Sequence, residues 1–511
     1  MKKIAYLLAV MLFAVLLTLS LSSCGEMGGF EYTLDSDGNA IIEVYTETFL
    51  SGRETVSVPS HIDGHLVVEI GDMAFRYSKI GDLIIPEGVR SIGSLIFASA
   101  DFRGSISIPG SVSYIAVDAF LNNSTFDDAV MQVGGVRSVV ETTEFKVSPE
   151  NENYKSECGV LYTADGRELI KYPNNKDTEA FDIPHGVEIV CVSAFYDADN
   201  ISTLCISDSV ISVGGAAFYG MDGLREVNIG KGLVEMAIDD GGHNPFYESE
   251  GIRKITVNEE NSAFASFGGN LYTKDMTSLI FYAPMNEAES YVTPDGLTEI
   301  CKYAFSDVST LKYLTVGASV KDIGDSTFDV CGSLREVRIA DGVETLSRSA
   351  FRLCDALEYI YIGSTVSSTD SISWWGESVK EIEVSKNNAT LKSEDGNLYT
   401  KDGKRLISYA RGKGEERFEI PNGVETVGEY AFFSPPKLRE VYIPSSVTLI
   451  EEDAFRLTSL RRVELESPDG WVRMSDADSN EVEFIDANVL SNPKKCARMF
   501  NSRSRNGLEK R

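Results

Sequence analysis

Residues 438–455 run Leu438-Arg439-Glu440-Val441-Tyr442-Ile443-Pro444, then Val447-x-x-Ile450, then Ala454-Phe455. From Glu440 to Ile443, polar and apolar residues alternate with the period of two that a half-buried strand requires. Pro444 ends the strand, because it has no N–H to give to a ladder. The Val-x-x-Ile step and the Ala-Phe pair then carry the chain back along an apolar path. Such a unit is apolar on one side only, so it must be covered by further copies of itself.

The copies are present. Ala-Phe or a close variant recurs at Ala74-Phe75, Ile96-Phe97, Ala119-Phe120, Ala194-Phe195 and Ala217-Phe218, then at Ala304-Phe305, Thr327-Phe328, Ala350-Phe351, Ala431-Phe432 and Ala454-Phe455. Within each run the phenylalanines stand 22 or 23 residues apart. The apolar step recurs at Val89/Ile92 and Val320/Ile323, and the strand pattern at Leu224 to Ile229 and Leu334 to Ile339. A period near 23 lies in the range of leucine-rich repeats. The expected fold is mainly β: a leucine-rich-repeat solenoid of short parallel strands, its phenylalanines stacked in one core.

Three related segments interrupt the runs, near 147–175, 257–285 and 384–412. They contain Gly159-Val160-Leu161-Tyr162-Thr163, Gly269-Asn270-Leu271-Tyr272-Thr273 and Gly396-Asn397-Leu398-Tyr399-Thr400, each followed by Leu-Ile and a tyrosine (Tyr172, Tyr282, Tyr409). Asp165-Gly166 and Asp402-Gly403 between apolar runs predict β-hairpins. Residues 30–75 suit an N-terminal hairpin cap and first coil, 76–466 the solenoid, and 467–511 a C-terminal cap and basic tail. Asn492 to Met499 predicts a short helix with Pro493 in its first turn. His243-Asn244-Pro245, where an Ala-Phe pair is due, suggests a loop variation.

Tyr45, Val58-Pro59, Ile62-Asp63-Gly64-His65, Ile70-Gly71 and Ala74-Phe75, with the Ile-Pro…Val-x-x-Ile-Gly…Ala-Phe unit over roughly 55–466, resemble the BspA-like leucine-rich-repeat family, including its treponemal-type repeats. Ile96, Thr327 and Thr293-Pro294 depart from the pattern. The resemblance implies a surface protein engaged in host-matrix or intercellular adhesion.

The N-terminus predicts an address. Lys2 and Lys3 precede an uncharged apolar run, Ala5 to Leu19, too short to span a bilayer comfortably. Leu21-Ser22-Ser23-Cys24 resembles the bacterial lipobox, which implies a signal peptide over 1–23, cleavage before Cys24 and lipid on its sulfur. Residues 25–29 then form a short tether to a fold held in the cell envelope, extracytoplasmic or surface-exposed. A net charge of −31 argues against nucleic acid and against docking on anionic lipid, leaving the anchor as the membrane contact. The eight cysteines include no CxxC, so neither zinc nor a disulfide framework is indicated, although Cys331 and Cys354 share a repeat position.

Catalytic patterns are not found. His61, His65, His185 and His243 are scattered, and no nucleophile elbow, phosphate loop or zinc-protease motif occurs. Asp476 to Asn480 suggests calcium, but Glu481 and Ala487 stand where such a loop needs glycine and a bidentate glutamate. The expectation is therefore a non-enzyme with no cofactor and no metal. The more informative feature is the outward side of the strand column, with Tyr313, Arg338, Tyr359, Tyr361 and Tyr442 as the candidate binding face. Tyrosine offers contact area with few torsions, which suits a protein or glycan ligand on a host or neighbouring cell. The alternatives are capture of an envelope glycan or nutrient, and a structural surface scaffold.

Overall fold

The computed structural model describes residues 25–27, 29–46, 54–121, 139–237, 244–347, 349–367, 376–473, 483–501 and 508–510. The signal segment, Cys24 and the acidic loop 476–480 lie outside them. The described residues divide into two compact units, one within Met1–Leu224 and Gly230–Asp239, the other within Arg225–Ile229 and Asp240–Arg511. The fold is mainly β, a solenoid of about 17 turns at a spacing of ~23 residues.

A typical turn places a longer strand on one side and a two-residue strand on the other. In the second unit Ser290–Val292, Tyr313–Val316, Glu336–Ile339, Tyr359–Ile362 and Glu381–Val384 form one five-stranded parallel sheet. Asp322–Ile323 and Thr345–Leu346 pair behind it. In the first unit Ile189–Val190, Ser212–Val213 and Glu235–Met236 do the same. Val337, Ile339, Ile360 and Ile362 face inward and are fully buried, as the alternation requires.

Between the two sides run the phenylalanines. Phe305, Phe328 and Phe351 follow one another at 4.9 Å between centroids, and Phe432 and Phe455 stack at 4.8 Å and 4°. The residue before each ring must be buried where the backbone passes closely. Ala74, Ala194 and Ala304 are wholly buried there, and Thr327 fits by donating its hydroxyl to the Gly324 carbonyl at 3.0 Å. Two residues to either side of the ring, side-chain-bearing residues adopt left-handed backbone: Met73 and Tyr77, Tyr303 and Asp307, Asp453 and Leu457, with φ from 53° to 61°. Such geometry costs about 1 kcal/mol per residue. Lateral bonds offset it: Met73 N donates to Ser94 O at 3.0 Å, and Phe75 N to Ile96 O at 2.8 Å.

The ring due near residue 245 is not lost. Phe246 supplies it, fully buried, with Ser249 N donating to its carbonyl just as Ala198 N donates to that of Phe195. Asn244-Pro245 therefore precedes a regular coil rather than replacing one.

The three inserts each contain three antiparallel strands, one more than the Asp-Gly turns suggest. In the first these are Tyr154–Glu157, Val160–Thr163 and Glu168–Lys171. In the second they are Phe264–Phe267, Asn270–Thr273 and Ser278–Phe281, and in the third Leu391–Glu394, Asn397–Thr400 and Arg405–Ser408. Each hangs from the coil before it by the same bonds. Ser156, Ser266 and Ser393 accept the N–H of Val147, Val257 and Val384 at 3.0–3.1 Å. Phe145, Ile255 and Ile382 donate to the carbonyls of Gly159, Gly269 and Gly396. Buried Asn151 and Asn388 each donate to two carbonyls of the preceding coil while capping the first hairpin strand. Each insert then joins the next coil through its tyrosine: Tyr172 N donates to Ala194 O, Tyr282 N to Ala304 O and Tyr409 N to Ala431 O.

The N-terminal hairpin is the same device. Phe30–Leu34 pairs with Ala40–Tyr45, and Tyr45 N donates to Ala74 O at 2.7 Å. Its inner face buries Phe30, Tyr32, Ala40 and Ile42, while Glu31, Thr33 and Glu43 keep its outer face polar, as a terminal repeat requires. Gly25–Met27 pairs antiparallel with Phe30–Leu34. Three of the five residues expected as a tether thus pair with the sheet, where their backbone finds a strand edge to bond. At the other end the helix Pro493–Asn501 covers the last coil, Asn492 capping it by accepting Lys494 N and Lys495 N. Phe500 packs on Phe455 at 4.7 Å, with Lys494, Lys495 and Arg498 outward.

Candidate binding face

On the five-stranded sheet the outward residues form two rows fixed by the parallel register. Tyr313, Glu336, Tyr359 and Glu381 lie side by side, and so do Thr315, Arg338, Tyr361 and Glu383. The patch is built by contacts between these rows. The Arg338 guanidinium lies 5.3 Å from the Tyr359 ring centre and 6.0 Å from that of Tyr361. Its Nε donates to Glu336 at 2.6 Å, and the Tyr359 hydroxyl donates to Glu383. Desolvation, and then the bond to Glu383, push the Tyr359 hydroxyl up to about 12, so it stays a donor at any physiological pH. The bond to Glu336 raises the Arg338 pKa above its already high ordinary value.

The arrangement is a fixed cation on two rings, flanked by carboxylates at Glu336, Glu381 and Glu383. With Nε committed to Glu336, its terminal nitrogens point a planar donor edge away from that bond. Tyr313 is 47% exposed and lies in register with Glu336, which extends the patch by one ring. Rings and guanidinium held in place before binding lose little freedom when a partner arrives.

Of the five residues expected on the face, the structure brings Tyr313, Arg338, Tyr359 and Tyr361 together. Tyr442 is elsewhere, in the three-stranded sheet Arg417–Glu419, Glu440–Ile443 and Arg462–Leu465. There it lies between Glu419 and Glu464, which are themselves ion-paired to Arg417 and Arg462, and desolvation followed by the nearby carboxylates raises its pKa. Sequence reasoning missed Glu381 and Glu383, although Glu381-Ile382-Glu383-Val384 shows the same alternation.

The remaining candidates are structural. His65 Nδ1 bonds to the Gly38 carbonyl at 2.7 Å, and His61 lies beside Ser60. Cys331 and Cys354 are free thiols, each directed at a backbone carbonyl, of Phe305 and Phe328. Among the described residues no group of three His, Cys, Asp or Glu is placed to hold a metal ion, and no helix is long and apolar enough to cross a membrane.

The family model for the BspA type leucine rich repeat region matches residues 53–139, 172–279, 274–394 and 411–472, in six copies. Among solved structures, a leucine rich cell surface protein from Faecalibacterium prausnitzii is similar at 22% identity, over 87% of this chain and 95% of its own, with a TM-score of 0.43. The pneumococcal vaccine antigen PcpA is similar at 17% identity over 88% and 94%, with a TM-score of 0.41. A leucine-rich repeat protein from Bacteroides ovatus follows at 17% identity over 87% and 100%, with a TM-score of 0.34. No curated protein matches the chain.

Proposed function

From the premise that this chain belongs to the BspA type leucine-rich-repeat family, we propose that it is a lipid-anchored surface binding protein. Its role is adhesion or recognition of a protein ligand. The observation that carries the reading is the Arg338 guanidinium held across Tyr359 and Tyr361 on an exposed sheet. Arginine and tyrosine dominate the energetics of protein interfaces, and here their geometry is set in advance. The Cys24 motif supplies the anchor in this reading.

Panning the soluble chain from residue 25 onward over immobilised extracellular matrix proteins and a carbohydrate array tests the proposal. We expect retention on protein ligands. The pair Arg338→Ala and Tyr361→Ala should each weaken it by about tenfold or more, as truncated interface anchors do. Tyr442→Ala, on a separate sheet, should leave it unchanged. Retention on the carbohydrate array alone would favour glycan capture instead, and silence on both would favour a scaffold.

A further inference from the structure

The third hairpin insert carries a hydrophobic core on both of its faces. There Leu398 belongs to the core that reaches back to Tyr272, whereas its neighbour Tyr399 belongs to the core that reaches forward to Leu508. Ile407 sides with Leu398, while Leu406 and Tyr409 side with Tyr399. Strand alternation makes this division, since successive side chains leave a strand on opposite faces. In the second insert Tyr272, Leu279 and Tyr282 open the following core, while Leu271, fully buried and next to Tyr272, stands outside it. In the first, Leu161 and Ile170 close the core that begins at Phe30.

The strand face stops at the same places. The sheet that begins at Glu54–Ser57 ends with Val139–Val147, ahead of the first insert. The one that begins at Ser290–Val292 ends with Glu381–Val384, and a new sheet begins at Arg417–Glu419 beyond the third. Within a block, neighbouring coils share two ladders and a stack of rings, so loss of one coil uncovers the next. At an insert no ladder continues along the strand face. The insert stays bonded to the coil before it through Ser393, Gly396 and Asn388 even if the coils after it open.

We propose that the inserts are bulkheads that confine unfolding, so that the protein opens block by block and not from end to end. Tyr272 and Leu398 bound one such block, which contains the Arg338 patch and opens as a unit. The coupling between coils in a solenoid is to nearest neighbours. A wall that lacks the strand-face ladder, keeping only the short ladder from Arg405-Leu406 to Thr426-Val427, couples its two sides less than two coils of one block are coupled. The proposal holds whatever the face binds.

Hydrogen exchange read by mass spectrometry on the full chain tests it with two adjacent substitutions. Leu398→Ala should speed exchange by about tenfold or more in peptides from 313–384, and change those from 440–465 by less than about twofold. Tyr399→Ala should do the reverse. If either variant fails to fold, Leu398→Val and Tyr399→Leu should give the same opposed directions at smaller size. Equal acceleration on both sides from either substitution, or no asymmetry in any of the four, overturns the proposal.

Discussion

Lys171 is buried where the other two inserts carry Phe281 and Ser408. Its ammonium donates to the Ser193 carbonyl at 2.7 Å and lies 5.8 Å from the Tyr196 ring centre. Burial pushes its pKa down to about 7, against a weaker upward pull from Asp197. In the unfolded chain the same lysine keeps its proton to about 10.4. Between those values the unfolded state binds more protons, so stability rises with pH by up to about 1.4 kcal/mol per unit. Below 7 both states are protonated, above 10.4 neither is, and the dependence vanishes. Lys171→Met should therefore be more stable than the parent at pH 7 and lose that advantage steadily towards pH 10. Denaturant unfolding across that range checks it, and a difference that does not vary with pH would count against it.

At the scale of elements, the C-terminal helix substitutes for a missing coil. Asn501 accepts from the Thr458 hydroxyl at 2.9 Å and Leu460 N at 3.2 Å, and donates to Leu460 O at 2.7 Å. Its side-chain amide thus answers the backbone that a further turn would have answered. Asn501→Ala should cost about 1 kcal/mol, seen as several-fold faster amide exchange over 417–465, the block that ends at this helix, with the coils before Leu398 unaffected. The 23-residue phenylalanine period was legible, because each ring sits at one point of a repeated turn. Phe246 escaped because residues between Phe218 and it stretch the spacing to 28. The extra strand of each insert escaped too. Tyr154–Glu157 and Leu391–Glu394 are mostly polar, and their place is set by serine bonds to a strand nine residues back and by asparagine bonds to a coil 22 to 42 residues back. The adjacent Leu-Tyr pairs look like an unbroken apolar run, which is how a strand buried on both faces reads. On the binding face the tyrosines were visible from alternation. The stacking of Arg338 on rings of the next turn depends on register, which the sequence does not display.

For the whole molecule, 78 acidic against 47 basic residues leave a surface that repels anionic polymers and lipid headgroups. In the proposed reading, retention at a membrane rests on lipid at Cys24, and two or more acyl chains hold stably where one does not. Cys24→Ala should move the protein from the membrane fraction to the soluble one, with its fold intact by circular dichroism; persistence in the membrane fraction would refute the anchor. With Gly25–Met27 bound into the first sheet, an anchor of the kind proposed at Cys24 would have little slack before the solenoid begins.

The tyrosine bond that joins each hairpin to the coil after it is the same joint at Tyr45, Tyr172, Tyr282 and Tyr409, between 2.7 and 2.9 Å. Asn270-Leu271-Tyr272-Thr273-Lys274-Asp275 and Asn397-Leu398-Tyr399-Thr400-Lys401-Asp402 share their sequence across that seam. A chain cut after Leu271 and resumed at Tyr399 would set every apolar face against the kind of surface it already meets. Descent can therefore lengthen or shorten such a protein by recombination between hairpins, in whole modules, without solving a new packing problem at any junction.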